Sequence, residues 1–116
     1  MPLPADGLLP PVPAGTPALS AEALAAGLAA LAPGWVVEGG HLVRRVPTAD
    51  FAGALALAVR LGLVAERADH HPTLTVRWGE LAIEVWTHTT DGLSPLDLEL
   101  ARRCDPVIGD ATPPAR

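Results

Sequence analysis

The chain has a single cysteine, Cys104, so no internal disulfide can close and no cysteine-based metal set can be assembled. Its place where a closing helix would end reads as structural rather than reactive. No apolar run is long enough to span a bilayer. The opening Met-Pro-Leu-Pro-Ala-Asp-Gly-Leu-Leu lacks a basic region and is broken by prolines, so it does not read as a secretory signal. Basic residues are few and scattered: eight against thirteen acidic ones, a net charge of −5 with His neutral. That balance argues against a nucleic-acid backbone as partner. There is no glycine-rich phosphate loop, no solenoid-type repeat, and no serine or cysteine nucleophile close to the histidines in sequence. These exclusions leave a single domain of 116 residues, expected to be cytoplasmic and without a membrane partner.

Both ends lack the periodicity of packed elements. Residues 1–19 carry six prolines and no Lys or Arg, and residues 105–116 are again rich in proline. Each is expected to be a mobile, disordered tail flanking a domain at 20–104. Within that domain Ser20 is a good N-cap for a helix with Leu24, Leu28 and Leu31 on one stripe, stopped by Pro33-Gly34. Residues 35–38 and 41–46 read as a hairpin around Gly39-Gly40, with His41 an exposed polar residue beside the turn. Thr48 is expected to cap the longest helix, which ends near Ala68. Its apolar arc is wider than one sheet requires, and the flank carrying Leu57, Leu61 and Val64 suggests self-association. A second hairpin follows, with its turn expected at Gly79-Glu80. The loop through Asp91-Gly92 leads to a last helix from Ser94 to about Cys104, with Asp97 placed for a capping box. The order α-β-β-α-β-β-α predicts an α+β two-layer sandwich: a four-stranded antiparallel sheet with three helices on one face.

Three of the four histidines fall between Glu66 and Asp97. His70, His71 and His88 with Glu66, Asp69 and Asp97 support three readings. Imidazoles tuned by carboxylates can do acid-base chemistry near neutral pH. Three His and a carboxylate could ligate zinc, although adjacent His-His is not a standard ligand spacing. Polar loop residues could also simply gather at one end of a sheet. Helix capping alone would explain Asp97, and core or interface packing would explain Trp78 and Trp86. By the period of two, Trp86 and His88 point the same way.

The spacing Glu66-x-x-x-His70-His71-Pro72, five residues, Trp78, nine residues, His88, eight residues, Asp97 resembles the active-site signature of the pterin-4a-carbinolamine dehydratases. The resemblance spans Ser20 to Cys104 and includes Asp50-Phe51 and Gly-Leu-Ser at 92–94. It implies dehydration of a 4a-hydroxytetrahydropterin to the quinonoid dihydropterin, which recycles the cofactor of aromatic amino-acid hydroxylases. It implies neither metal nor organic cofactor, assembly as dimers or tetramers, and a pterin as the small-molecule partner. Carried onto this chain, His70 and His88 would be the acid-base pair and His71 would hold the substrate. Glu66, Asp69 and Asp97 would tune the imidazoles, Thr87 would contact the pterin, and Trp78 would wall the pocket. The same fold is also known as a dimerisation cofactor of a transcription factor, and a pterin-binding role outside hydroxylase recycling is a further alternative.

Overall fold

The computed structural model of the protein describes residues 3–90 and 92–110. Seven elements follow in chain order: α1 (Ala21–Ala29), β1 (Val36–Glu38), β2 (His41–Pro47), α2 (Phe51–Ala68), β3 (Thr73–Arg77), β4 (Glu80–Val85) and α3 (Pro95–Asp110). The strands form one antiparallel sheet in the order β1-β2-β4-β3, with the three helices against one face, as the pattern of elements predicts. Gly39 and Gly40, at φ 58° and 78°, make the tight first turn that residues with a Cβ adopt poorly. Register follows the alternation of apolar residues: Leu42 faces Val85, Arg44 faces Ile83 and Val46 faces Leu81 across β2 and β4. This row and the buried sides of α2 and α3 make one core.

The topology decides what meets at each end of the sheet. Thr73 pairs with Glu84 and Leu42 with Val85, so the start of β3 and the end of β4 lie at the same end. The chain leaving α2 and the chain entering α3 meet there as well. The opposite end holds the second hairpin turn, which falls at Trp78-Gly79 rather than Gly79-Glu80, because Arg77 pairs directly with Glu80.

Several expectations are corrected. The N-cap of α2 is Asp50, whose carboxylate accepts from the Gly53 amide at 2.7 Å, while Thr48 bonds the Asp50 carbonyl. Leu57 and Leu61 are inside the core, because α2 packs on the sheet and on α3 at once. The apolar stripe left exposed is Phe51, Leu55, Val59 and Leu63, and Phe51 keeps 50% of its surface in water. His41 is not a free polar residue: its Nδ1 meets Glu84 at 2.7 Å and its ring stacks on Trp86 at 4.1 Å.

The two expected tails are also corrected where they are described. Leu9 is 7% exposed and its amide donates to the Ala68 carbonyl at 2.9 Å. The Leu19 amide reaches Leu93, the Thr89 hydroxyl donates to the Val12 carbonyl, and Arg103 donates to the carbonyls of Pro4 and Gly7. A proline-rich strand has few N–H groups to satisfy and freely offers its carbonyls, so it can lie on a domain without joining a sheet.

At the other end α3 does not stop at Cys104. It continues through Pro106 to Asp110, and Ile108 is buried. A proline inside a helix loses one backbone bond and disfavours helical geometry at Asp105. That carboxylate offsets the cost by accepting from Trp35 Nε1 at 2.7 Å, Arg44 at 2.9 Å and the Ala32 amide at 2.9 Å. The rest of the expected C-terminal tail, 111–116, and Asp91 of the expected loop lie outside the described residues. Cys104 is buried, and burial pushes its thiol up to about 12, with Asp105 adding to the rise and Arg44 opposing it. It is therefore inert at neutral pH.

Candidate active site

Three segments build the site, each placed by a local rule. The first is the exit from α2. Asp69 takes the left-handed conformation at φ 53°, and the amides of Asp69 and His70 close back on the Glu66 and Ala65 carbonyls. This is the hydrogen-bonding of a helix C-cap that normally uses glycine. It turns the chain sharply, and Pro72 then commits it to the extended start of β3. The second segment is the end of β4, where Trp86, Thr87 and His88 leave the sheet. The third is the start of α3, where Ser94 and Asp97 exchange capping bonds: the Ser94 amide donates to Asp97 Oδ2 at 2.8 Å and the Asp97 amide to the Ser94 carbonyl.

Asp97 joins the three. It is fully buried. Its Oδ2 also accepts from the Thr87 hydroxyl at 2.8 Å, and its Oδ1 meets His70 Nε2 at 2.7 Å. Thr87 in turn lies 2.7 Å from the Ser94 hydroxyl. Capping and site roles therefore coincide in one carboxylate, each using a different oxygen. An ionised Asp97 can only accept, so His70 carries its proton on Nε2 and presents the Nδ1 lone pair.

His88 has the complementary arrangement. Trp86 Nε1 donates to His88 Nδ1 at 3.2 Å, and an indole can only donate. The neutral imidazole therefore keeps its proton on Nε2. One ring thus offers a lone pair and the other an N–H. Both line a cavity of about 370 Å³, together with Asp69 and Thr87 and with Leu9, Pro10, Pro11 and Val12 from the N-terminal segment.

The other expected site residues divide. His71 pairs with Glu66 at 2.7 Å on the exposed surface and does not line that cavity. Asp69 lines the cavity, while the carboxylates that meet the His70 and His71 rings are Asp97 and Glu66. Trp78 is not at the site: it occupies the far hairpin turn, 72% exposed, with the length of β3 between it and His71. At about 3.3 Å per residue that is roughly 17 Å along the strand. Among the described residues, no three His, Cys, Asp or Glu side chains converge as metal ligands. Sequence reasoning missed Ser94 as part of the polar network, Trp86 as the partner of His88, and the wall at 9–12. The two-residue spacing of Trp86 and His88 carried the signal for that pair; nothing local marked the wall.

The chain is similar to proteins of known kind. Residues 17–107 match the family described as pterin 4 alpha carbinolamine dehydratase. A provisionally named pterin-4-alpha-carbinolamine dehydratase of Rickettsia bellii (strain OSU 85-389) is 36% identical over 96 residues, covering 82% of this chain and 85% of that protein. A protein of the same provisional name from Nocardia farcinica is 39% identical over 90 residues, covering 78% and 94%. The crystal structure described as a transcriptional coactivator/pterin dehydratase from Brucella melitensis superposes with a TM-score of 0.72 at 28% identity, covering 79% of this chain and 99% of that one. A family match over most of the folded chain, with the paired histidines, His88 and Asp97 held at one end of the sheet, places this protein in the pterin-4a-carbinolamine dehydratase family.

Proposed function

We propose that the protein dehydrates a 4a-hydroxytetrahydropterin to the quinonoid dihydropterin by acid-base chemistry at His70 and His88. The observation that carries this reading is the pair of imidazoles on one cavity, His70 held at Nε2 by Asp97 and His88 held at Nδ1 by Trp86. The reaction breaks the C4a–O bond and the N5–H bond and forms the C4a=N5 double bond. The proton lost from N5 is the proton the departing hydroxide must gain. His70 takes it at Nδ1 and passes it on, with Asp97 across from Nε2 stabilising the transient imidazolium. His88 gives a hydrogen bond from Nε2 to the leaving oxygen, a task a neutral imidazole can perform. His71, exposed and tied to Glu66, holds the substrate from outside the cavity, and the backbone at Thr87 contacts the pterin ring. No metal or organic cofactor takes part.

The same reading puts the enzyme in the cytoplasm, recycling the pterin cofactor of an aromatic amino-acid hydroxylase. It also makes the protein a homodimer or homotetramer, for which the exposed stripe of Phe51, Leu55 and Val59 on α2 is the motivation. The deciding experiment is to generate the carbinolamine in the presence of purified protein and follow formation of the quinonoid product. A rate no faster than the spontaneous dehydration would overturn the assignment. That result, together with retained pterin binding, would favour a binding or coactivator module.

A further inference from the structure

Part of the cavity wall comes from a stretch of the chain that the family match leaves out. The match begins at residue 17, whereas Leu9, Pro10, Pro11 and Val12 line the same cavity as His70 and His88. This wall is built in rather than draped. Leu9 is sunk in the core, its amide is held by the Ala68 carbonyl at 2.9 Å, and the Val12 carbonyl is held by the Thr89 hydroxyl at 2.7 Å. Thr89 itself lines the cavity, one residue beyond His88. Further back, Arg102 and Arg103 hold the carbonyls of Pro4, Ala5 and Gly7.

The chemistry of this wall is one-sided. The Leu9 amide is spent on Ala68, and Pro10 and Pro11 have none, so three of the four wall residues offer no N–H to a ligand. Their side chains are apolar. No Arg lines the cavity, and the chain contains no lysine. The one carboxylate on the lining, Asp69, repels an anion. An uncharged alkyl or hydroxyalkyl group could lie against proline rings at little cost, and a hydroxyl could donate to a free carbonyl. A phosphate or carboxylate would lose its water and find, along residues 9–12, no cation and no N–H but that of Val12.

We propose that residues 9–12 are a specificity wall that admits ligands with uncharged substituents and turns away those with anionic ones. This rests on the function proposed above and names the class of pterin the site accepts.

The test uses the full-length protein and two carbinolamines: 6-methyl-4a-hydroxytetrahydropterin, and its analogue with a phosphorylated hydroxyalkyl group at position 6. Wild type should turn over the first with a kcat/KM at least about tenfold higher, the size of one missing charge-assisted hydrogen bond. Pro11→Arg, a change at an exposed residue, should recover about tenfold in KM for the phosphorylated substrate. The ratio of its KM for the phosphorylated substrate to its KM for the methyl substrate should therefore fall about tenfold. Leu9→Asp, which undocks the wall, should bring the two substrates together. Equal kcat/KM for both in wild type, or an unmoved KM ratio in Pro11→Arg, would overturn the wall while leaving the dehydratase standing. No turnover of the methyl substrate would overturn the dehydratase, and the wall with it.

Discussion

His70 and Asp97 meet at 2.7 Å between His70 Nε2 and Oδ1 of a carboxylate that has no exposure to water. The second oxygen of Asp97 is occupied by Thr87 and Ser94, so the carboxylate cannot rotate away without leaving buried donors unpaired. The imidazole is thereby fixed in one tautomer. Asp97→Asn separates this effect from capping, because the asparagine Oδ1 can still accept from the Ser94 amide and the Thr87 hydroxyl while its NH2 group turns to His70. The variant should remain folded and lose about 10²–10⁴-fold in turnover, as expected when an acid-base imidazole loses its orienting carboxylate. Melting curves alongside turnover check it, and full activity in a folded variant would remove Asp97 from the chemistry.

His70→Ala and His88→Ala should each lower turnover by roughly 10²–10⁴-fold, and the double variant should lose more than either. Activity should survive prolonged chelation. Trp86→Phe keeps an aromatic ring against His41 but removes the N–H that donates to His88 Nδ1. It should cost about two- to tenfold in kcat, the worth of one hydrogen bond, and should alter the pH profile of kcat where a purely structural change would not. Chelator-sensitive activity restored by zinc, or an active His70/His88 double variant, contradicts the mechanism.

Asp69 offers a way to tell backbone from side chain. At φ 53° glycine is the favoured residue, so Asp69→Gly should match or exceed wild type in stability, whereas Asp69→Ala should cost about 1 kcal/mol. A turnover defect in the glycine variant therefore belongs to the missing carboxylate. Denaturant titrations of both variants, set beside their kinetics, make the comparison.

Glu99 links stability to pH. Burial pushes its carboxyl up, but the hydrogen bonds from Arg102 and Arg103 together outweigh that, and it sits below its ordinary value. A group lowered in the folded state adds stability above its unfolded value of 4.5 and loses it as the pH falls through the lower folded value. Wild type should therefore be more stable than Glu99→Gln at pH 7, with the gap closing below about 4.5. Urea midpoints at pH 7, 5 and 3 test the sign. Arg102 and Arg103 also hold the N-terminal strap, so its amides should lose exchange protection over the same acid range.

The exposed stripe on α2 and the buried one call for opposite outcomes. Leu55→Glu with Val59→Glu should leave the fold intact and lower the mass seen by light scattering. Leu57→Glu should unfold the protein, because that residue is 1% exposed. A monomer mass for wild type at micromolar concentration contradicts self-association.

What the chain determined alone is what depends on short-range rules. The order of elements follows from periods of two and 3.6. The first hairpin follows from Gly39-Gly40, and the exchange of bonds between Ser94 and Asp97 from their three-residue spacing. The candidate histidines were legible because titratable groups crowd one stretch at fixed intervals. Tertiary structure decided whatever depends on residues far apart in sequence, which leave no local period to read. It chose which arc of α2 faces inward, since both arcs are apolar and only packing against the sheet and α3 separates them. It carried α3 past Pro106 through the contacts of Asp105 with Ala32, Trp35 and Arg44. It set Trp78 at the far end of β3 because the ladder pairs Arg77 with Glu80. It also drew the strap at 9–12 against His70 and His88, where one buried leucine and a few carbonyls suffice to hold a segment with no periodicity of its own.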